Sequence, residues 1–200
     1  MEDIKQAEAK EVKIEDYANF FRLISNESRY KAVKELLKDE NGIFVNEIAD
    51  RGQIPRSKIS DQLMVLRRAG LVNSEKRSNK MYYFLIKDEI NKKLKDYLSL
   101  AKNKWQGKPS NQEKLKAAPI EIFSSLANDT RCEIFLFLSQ KEMFVNEVCD
   151  SFYLEQPTVS IHLNQMKKVG LLSSYKKSLN MLYRSNLKAY EEAVNKFLGI

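Results

Sequence analysis

The feature that most constrains this chain is that it contains itself twice. IFVNEIAD at 43–50 returns as MFVNEVCD at 143–150, and a register of 100 residues then holds without a gap. Ser60 matches Ser160, Leu63 matches Leu163, Gly70-Leu71 matches Gly170-Leu171, and Lys76, Met81 and Tyr83 match Lys176, Met181 and Tyr183. Upstream, SNESR at 25–29 matches ANDTR at 127–131 at a register of 102, so the first copy holds two extra residues near Asp39–Gly42. Two copies make a tandem duplication rather than a solenoid, which needs more repeats to bury a continuous core. The chain therefore divides into a first domain at 1–106, a linker at 107–112 and a second domain at 113–200. The linker GKPSNQ gathers Gly, Pro and Ser, and it is short enough to tether the halves closely.

Within each copy the apolar period is helical. Tyr17, Phe20, Phe21 and Ile24 fall on one helix face, and Ala32, Val33, Leu36 and Leu37 on another. Asn26 is placed to cap the second of these helices, with Arg29 in its first turn. The turn Asp39–Gly42 ends it. Ile43–Val45 is a short apolar stretch, and Asn46 is expected to cap a short helix at 46–51 that buries Ile48 and Ala49 and is broken by Gly52. Pro55 suits the first turn of the next helix. That helix turns Ile59, Leu63 and Leu66 inward and ends at Gly70. Strands are expected at Leu71-Val72 and Met81–Ile86 around a polar tip, SEKRSNK at 74–80. A helix at 88–104 carries Ile90, Leu94, Tyr97, Leu98 and Ala101.

The second copy repeats the order. A helix from Asp129 to Ser139 turns Ile134, Phe135, Phe137 and Leu138 inward, and a short helix follows Asn146. Helix 156–168 buries Val159, Leu163 and Met166, strands flank YKKSLN at 175–180, and a helix closes the chain at 187–198. Such an order predicts a mainly α fold with small β-hairpins, that is, two tandem winged helix-turn-helix domains. The outer helices at 1–24, 88–104, 111–126 and 187–198 are expected to pack the halves together.

Charge follows the repeat. The net charge of +7 is not spread evenly. Residues 1–50 carry 8 Lys/Arg against 12 Asp/Glu, residues 51–100 carry 12 against 5, residues 101–150 carry 7 against 7, and residues 151–200 carry 7 against 3. The positive charge lies in the second part of each half, as a surface facing a polyanion would require. Enzyme chemistry is excluded on inventory: there is one histidine, no Gly-rich phosphate loop and no GxSxG. Cys132 and Cys149 are the only cysteines and sit in apolar-periodic surroundings, so two free, buried thiols are expected. No run long enough to span a membrane exists and the charged N-terminus has no signal-peptide core, so a cytoplasmic protein is expected.

The two copies resemble the ArsR-type (arsenic-repressor-like) winged-helix regulators. In the second copy LANDTRCEIFLFL and QPTVSIHLNQMKKVGLL resemble the family's opening segment and its recognition segment. The first copy resembles them less closely, through ISNESR and RSKISDQLMVLRRAGLV. The resemblance covers roughly 20–98 and 122–198. It implies a DNA-binding regulator, usually a homodimer paired through its outer helices, so a duplicated chain implies a single-chain pseudo-dimer acting on double-stranded DNA, with a further homodimer possible. Many members sense metals, but the ligands are missing here. Cys149 falls where one thiolate of a cysteine cluster sits, Phe144 and Asn146 occupy the neighbouring positions, and the helices at 88–104 and 187–198 hold no His. No metal or other cofactor is expected.

In a helix-turn-helix the second helix enters the major groove and its outward residues meet base edges. Here these are Arg56, Ser57, Lys58, Asp61 and Gln62 in the first copy, and Gln156, Thr158, Ser160, Ile161, His162 and Gln165 in the second. Arg suits guanine, Gln suits adenine and Ile161 suits a thymine methyl. His162 suits a base or a phosphate. Lys76, Arg77 and Lys80 in the first wing, and Lys176, Lys177 and Arg184 in the second, suit phosphate or minor-groove contact. Arg67, Arg68, Lys167 and Lys168 either touch the DNA backbone or complement the dipoles of the helices they close. Trp105 is expected to anchor packing beside the linker. The competing reading is a winged-helix scaffold whose basic face meets an acidic protein or RNA and never DNA, since a fold does not fix a function.

Overall fold

The computed structural model describes residues 13–102 and 117–200. The linker at 107–112 and Trp105 lie outside them. In the first copy the elements are α1 (Ile14–Ile24), α2 (Glu27–Leu37), β1 (Ile43–Phe44), α3 (Val45–Gly52), α4 (Arg56–Arg68), β2 (Val72–Arg77), β3 (Lys80–Leu85) and α5 (Lys87–Lys102). In the second they are α6 (Pro119–Leu126), α7 (Asp129–Gln140), β4 (Met143–Phe144), α8 (Val145–Phe152), α9 (Gln156–Lys168), β5 (Leu172–Lys177), β6 (Asn180–Ser185) and α10 (Leu187–Leu198). The predicted winged-helix order is thus present twice.

Local chemistry explains most boundaries. The side chains of Asn26 and Asn128 accept from the backbone N–H of Arg29 and Arg131 at 3.2 and 3.0 Å, capping α2 and α7 at matched positions. Gly70 and Gly170 take positive φ after α4 and α9, which lets the next residue bond back to the helix: Leu71 N–H to Leu66 at 3.0 Å, Leu171 N–H to Met166 at 2.9 Å.

Several expectations need correction. Asn46 does not cap the short helix. Phe44 and Phe144 hold the cap positions, because β1 and β4 pair with β3 and β6 up to those residues and the helix starts at the next one. These two-residue strands make each wing a three-stranded sheet, in the order β1-β3-β2 and β4-β6-β5, rather than a lone hairpin. Gly52 does not break α3 but is its last residue. The break is left-handed backbone at Gln53, and at Tyr153 in the second copy, with φ of 51° and 52°. The hairpin tips are also shorter than expected. Pairing runs to Arg77↔Lys80 and Lys177↔Asn180, leaving two-residue turns whose first residues, Ser78 and Ser178, take positive φ. Leu37, Phe137 and Cys149 are half-buried rather than buried.

The halves share a core. α1 packs on α6 and α7, and α10 packs on α5 and α2. Phe21 stacks on its own counterpart, Phe123, at 5.9 Å between ring centres. Phe21 meets Tyr97 edge-on at 5.0 Å, and Phe123 meets Phe197, the counterpart of Tyr97, at 5.2 Å. The Tyr97 hydroxyl donates to the Cys132 carbonyl at 2.8 Å, while Phe197 packs on Tyr30, the counterpart of Cys132, at 5.3 Å. Contacts between copies are therefore exchanged in pairs, as in an isologous interface. Tyr190 breaks the pattern. It enters the same aromatic cluster and donates to the Leu94 carbonyl at 3.2 Å. Burial pushes the Cys132 thiol up to about 12, which keeps it protonated and unreactive. Lys34 caps the end of α10, donating to the carbonyls of Phe197 and Lys196 at 2.7 and 3.3 Å.

Because Phe21 and Phe123 are fully buried on the shared surface, Phe21→Ala is expected to cost about 3–5 kcal/mol. Urea denaturation should show one cooperative transition for both halves, shifted as a whole by the substitution. Two separate transitions would contradict a common core.

Candidate nucleic-acid interface

Each candidate recognition helix is seated by three inward residues: Ile59, Leu63 and Leu66 on α4, and Val159, Leu163 and Met166 on α9. The left-handed turn before each helix lets Ile54 and Leu154 bond back to Ala49 and Cys149 at 2.8 and 3.1 Å, which fixes the angle between α3 and α4 and between α8 and α9. Neither helix has an acidic residue in its first turn, where the helix dipole is positive; the N-cap is Pro55 in α4, which leaves that end to an external anion, whereas in α9 it is Glu155, whose carboxylate already faces the dipole.

Sequence reasoning missed the residue that joins this unit to the shared core. Arg29 donates from Nε to the Leu23 carbonyl at 2.7 Å and from Nη2 to the Arg22 carbonyl at 3.1 Å, both at the end of α1. Its Nη1 reaches Gln62 on α4 at 3.0 Å. Arg131 repeats the device, bonding the Ser125 and Ser124 carbonyls at the end of α6 and, at 2.9 Å, Gln165 on α9. Gln62 and Gln165 are thus held by arginines in the free protein rather than left open. The available signal was the arginine that closes both SNESR and ANDTR.

The other expected contacts divide into free and engaged groups. Ser57, Lys58, Asp61, Gln156, Thr158, Ile161, Arg67, Arg68, Lys167 and Lys168 are exposed on their helices, and Lys76, Lys176 and Lys177 on the wings; Lys80 is exposed too, but its ammonium lies 5.2 Å over the Phe44 ring. Ser160 is half-buried. Arg56 pairs with Asp50, donating from Nη2 to both carboxylate oxygens at 3.0 Å, an exposed ion pair of small worth that a phosphate or base can displace. Arg77 folds back along its wing. It bonds Glu75 and the Asn41 carbonyl at 3.1 Å and lies 5.0 Å over the rings of Tyr82 and Phe84. Arg184 is not at a wing tip. Its side chain is only 17% exposed, lies in the sheet face, and bonds Ser173 at 2.9 Å and Glu142 at 3.5 Å.

This last pair marks how the wings diverged. Glu142 and Arg184 stand where the first copy has Gly42 and Phe84. Gly42 takes positive φ, and a Cβ there would come within 2.4 Å of the Phe84 ring. A close apolar approach in one wing has become an ion pair in the other.

His162 occupies the place of Gln62. It is half-buried, and its Nδ1 is buried without a hydrogen-bond partner. Burial first, and the Arg131 guanidinium second, hold its pKa below the ordinary 6.5. The fold thus favours the neutral imidazole, whereas the unfolded chain takes up the proton first as pH falls. The stability contributed here is complete above 6.5 and is lost on acidification through the lowered folded value. As the chain has one histidine, its imidazole NMR signals are expected to titrate below those of the urea-unfolded protein. His162→Gln should flatten the pH dependence of the urea midpoint between about pH 7 and 5. A midpoint at or above the unfolded one would refute this placement.

Comparison with known proteins follows the same repeat. Residues 26–74 and 128–174 each match the profile of the family described as bacterial regulatory protein, arsR family. The chain is 25% identical over 78 residues to the transcriptional repressor SdpR of Bacillus subtilis, a stretch covering 39% of this chain and 87% of that protein. It is 37% identical over 67 residues to the arsenical resistance operon repressor of Escherichia coli, covering 33% of this chain and 57% of that one. It is 28% identical over 81 residues to the transcriptional activator HlyU of Vibrio cholerae, covering 39% and 75%. No helix among the described residues is long and apolar enough to cross a membrane. Both helix-turn-helix regions, each completed by a wing, are thus similar to the arsR family of bacterial regulatory proteins.

Proposed function

We propose that this protein is a sequence-specific DNA-binding transcriptional regulator in which one chain does the work of a dimer. Its two winged-helix copies bind neighbouring half-sites on one duplex and repress by occupying the promoter. The observation that carries the reading is the pairing of equivalent surfaces: Phe21 on Phe123, with α5 against α10. A homodimeric regulator makes such contacts between two chains, and here they lie within one. The exposed cations of both helices and both wings supply the phosphate contacts. Arg56, Ser57, Lys58, Asp61 and Gln62 face one half-site, and Gln156, Thr158, Ser160, Ile161, His162 and Gln165 the other. Arg29 and Arg131 release Gln62 and Gln165 when base edges compete for them. The cytoplasm is the compartment this role requires, and the two free thiols suit its reducing conditions.

Two measurements test the reading. Mass in solution, with and without a duplex selected from a random pool, should show one chain per duplex, with half-site centres about 10–10.5 base pairs apart. Two chains per duplex would instead point to a four-winged dimer.

Salt dependence is the second. If about six phosphates are neutralised, the logarithm of affinity should fall against that of salt with a slope of about −5. Replacing both Lys176 and Lys177 by Ala should make this slope shallower by about 2 and weaken binding to all sequences alike. A flat salt profile, or no loss on removing these lysines, would favour the protein-scaffold reading.

A further inference from the structure

The two reading surfaces differ in kind as well as in sequence. Among the described residues, the large apolar side chains open to solvent are Met64, Tyr153, Ile161, Tyr175, Leu179 and Ile200 near the end of the sequence. Ile200 aside, all but Met64 belong to the second copy, and those four lie on its helix-turn-helix and wing. Their counterparts at the 100-residue register are Gln53, Asp61, Glu75 and Asn79. A single exposed hydrophobic residue needs no explanation. Four at positions that are polar in the sister copy, all on the helix-turn-helix or the wing, do need one.

Tyr175 is accounted for within the fold: its hydroxyl donates to Glu142 at 2.5 Å and Arg184 lies over its ring. Tyr153, Ile161 and Leu179 remain, at 97%, 58% and 90% exposure. Ile161 lies one turn from Thr158 and from Gln165, so the three share the outward row of α9. Leu179 is at the tip of the wing, in the two-residue turn after Lys177. Charge identifies the occupant. Helix α9 contains no acidic residue beyond its N-cap, Glu155, and the wing segment YKKSLN contains none; Lys167 and Lys168 are exposed at the end of α9, and Lys176 and Lys177 just before the turn that holds Leu179. An apolar side chain among cations fits an apolar feature on a polyanion. The thymine methyl is that feature in the major groove, and partly unstacked base steps offer another from the minor groove.

We propose that the second copy reads its half-site through apolar contact. Ile161 packs on a thymine methyl in the major groove and Leu179 presses into the adjoining minor groove. The inference rests on the DNA-binding reading above. The first copy cannot do the same, because Asp61 stands in the place of Ile161 and Asn79 in that of Leu179. Its half-site is read chiefly by charged and hydrogen-bonding groups, with Met64 the one large apolar side chain exposed on α4, a turn along from Asp61.

The probe is a duplex selected from a random pool by the full chain, compared with the same duplex carrying uracil at every thymine. That change deletes only the major-groove methyl groups. Fluorescence anisotropy at fixed salt should show the unaltered protein binding the uracil duplex about fourfold more weakly, or worse, by the worth of one buried methyl. Ile161→Ala should bind the thymine duplex more weakly and lose most of the difference between the two. Leu179→Asn should weaken binding to both duplexes by the same factor, because no thymine methyl lies in the minor groove. Equal affinity of the unaltered protein for both duplexes, or discrimination that mostly survives Ile161→Ala, overturns the proposal while DNA binding stands. Full affinity of both variants overturns it in favour of a protein partner for the apolar patch. If the chain enriches no duplex from the pool, the DNA-binding reading itself falls and this inference with it.

Discussion

The stacking of Phe21 on Phe123 is the contact on which the rest of the molecule depends. Each copy buries a small core of its own, Ile48, Ile59, Leu63 and Leu66 in the first and Val148, Val159, Leu163 and Met166 in the second, and small domains gain from burying more. Here the outer helices of both copies turn their aromatic faces to each other. Tyr97, Phe135, Tyr190 and Phe197 are all fully buried in the cluster around the stacked pair. Their hydroxyls are not stranded, since Tyr97 and Tyr190 each reach a backbone carbonyl of the opposite copy. Burial of this kind, with its polar tips satisfied, makes the halves one body.

Arg29 and Arg131 carry that rigidity outward. Each holds the end of a core helix with two bonds and touches the recognition helix with a third. A flat guanidinium with several donors can span a helix end and a neighbouring helix, where a lysine ammonium could serve only as a point charge. Their partners on the recognition helices differ by a turn: Gln62 on α4, Gln165 on α9. The bracket was kept while the surface it supports was free to change.

Much of this was legible in the residues. The register of 100 fixed the repeat, the helical period located Ile59, Leu63 and Leu66 and their counterparts, and Asn26 and Gly70 marked a cap and a stop. What escaped was non-local. A two-residue strand such as Ile43–Phe44 has no period of its own and exists only because β3 lies beside it. The left-handed turn at Gln53 and Tyr153 was hidden because neither residue is glycine, while a nearby Gly52 drew the eye. On the candidate surface, charge located the exposed lysines well. It did not reveal that Arg77, though exposed, lies along tyrosine and phenylalanine rings, or that Arg184 lies on a tyrosine ring and Glu142. A residue letter reports a charge but not the direction in which its stem lies.

The fusion of the copies has one more consequence. Two identical subunits bring the same face to each half of a palindrome, so their complex looks alike from upstream and from downstream. A chain with Asp61 and Asn79 on one side and Ile161 and Leu179 on the other has no such equivalence. If one chain occupies both half-sites, as proposed, it has a front and a back, and its orientation along the DNA becomes a property written into the protein.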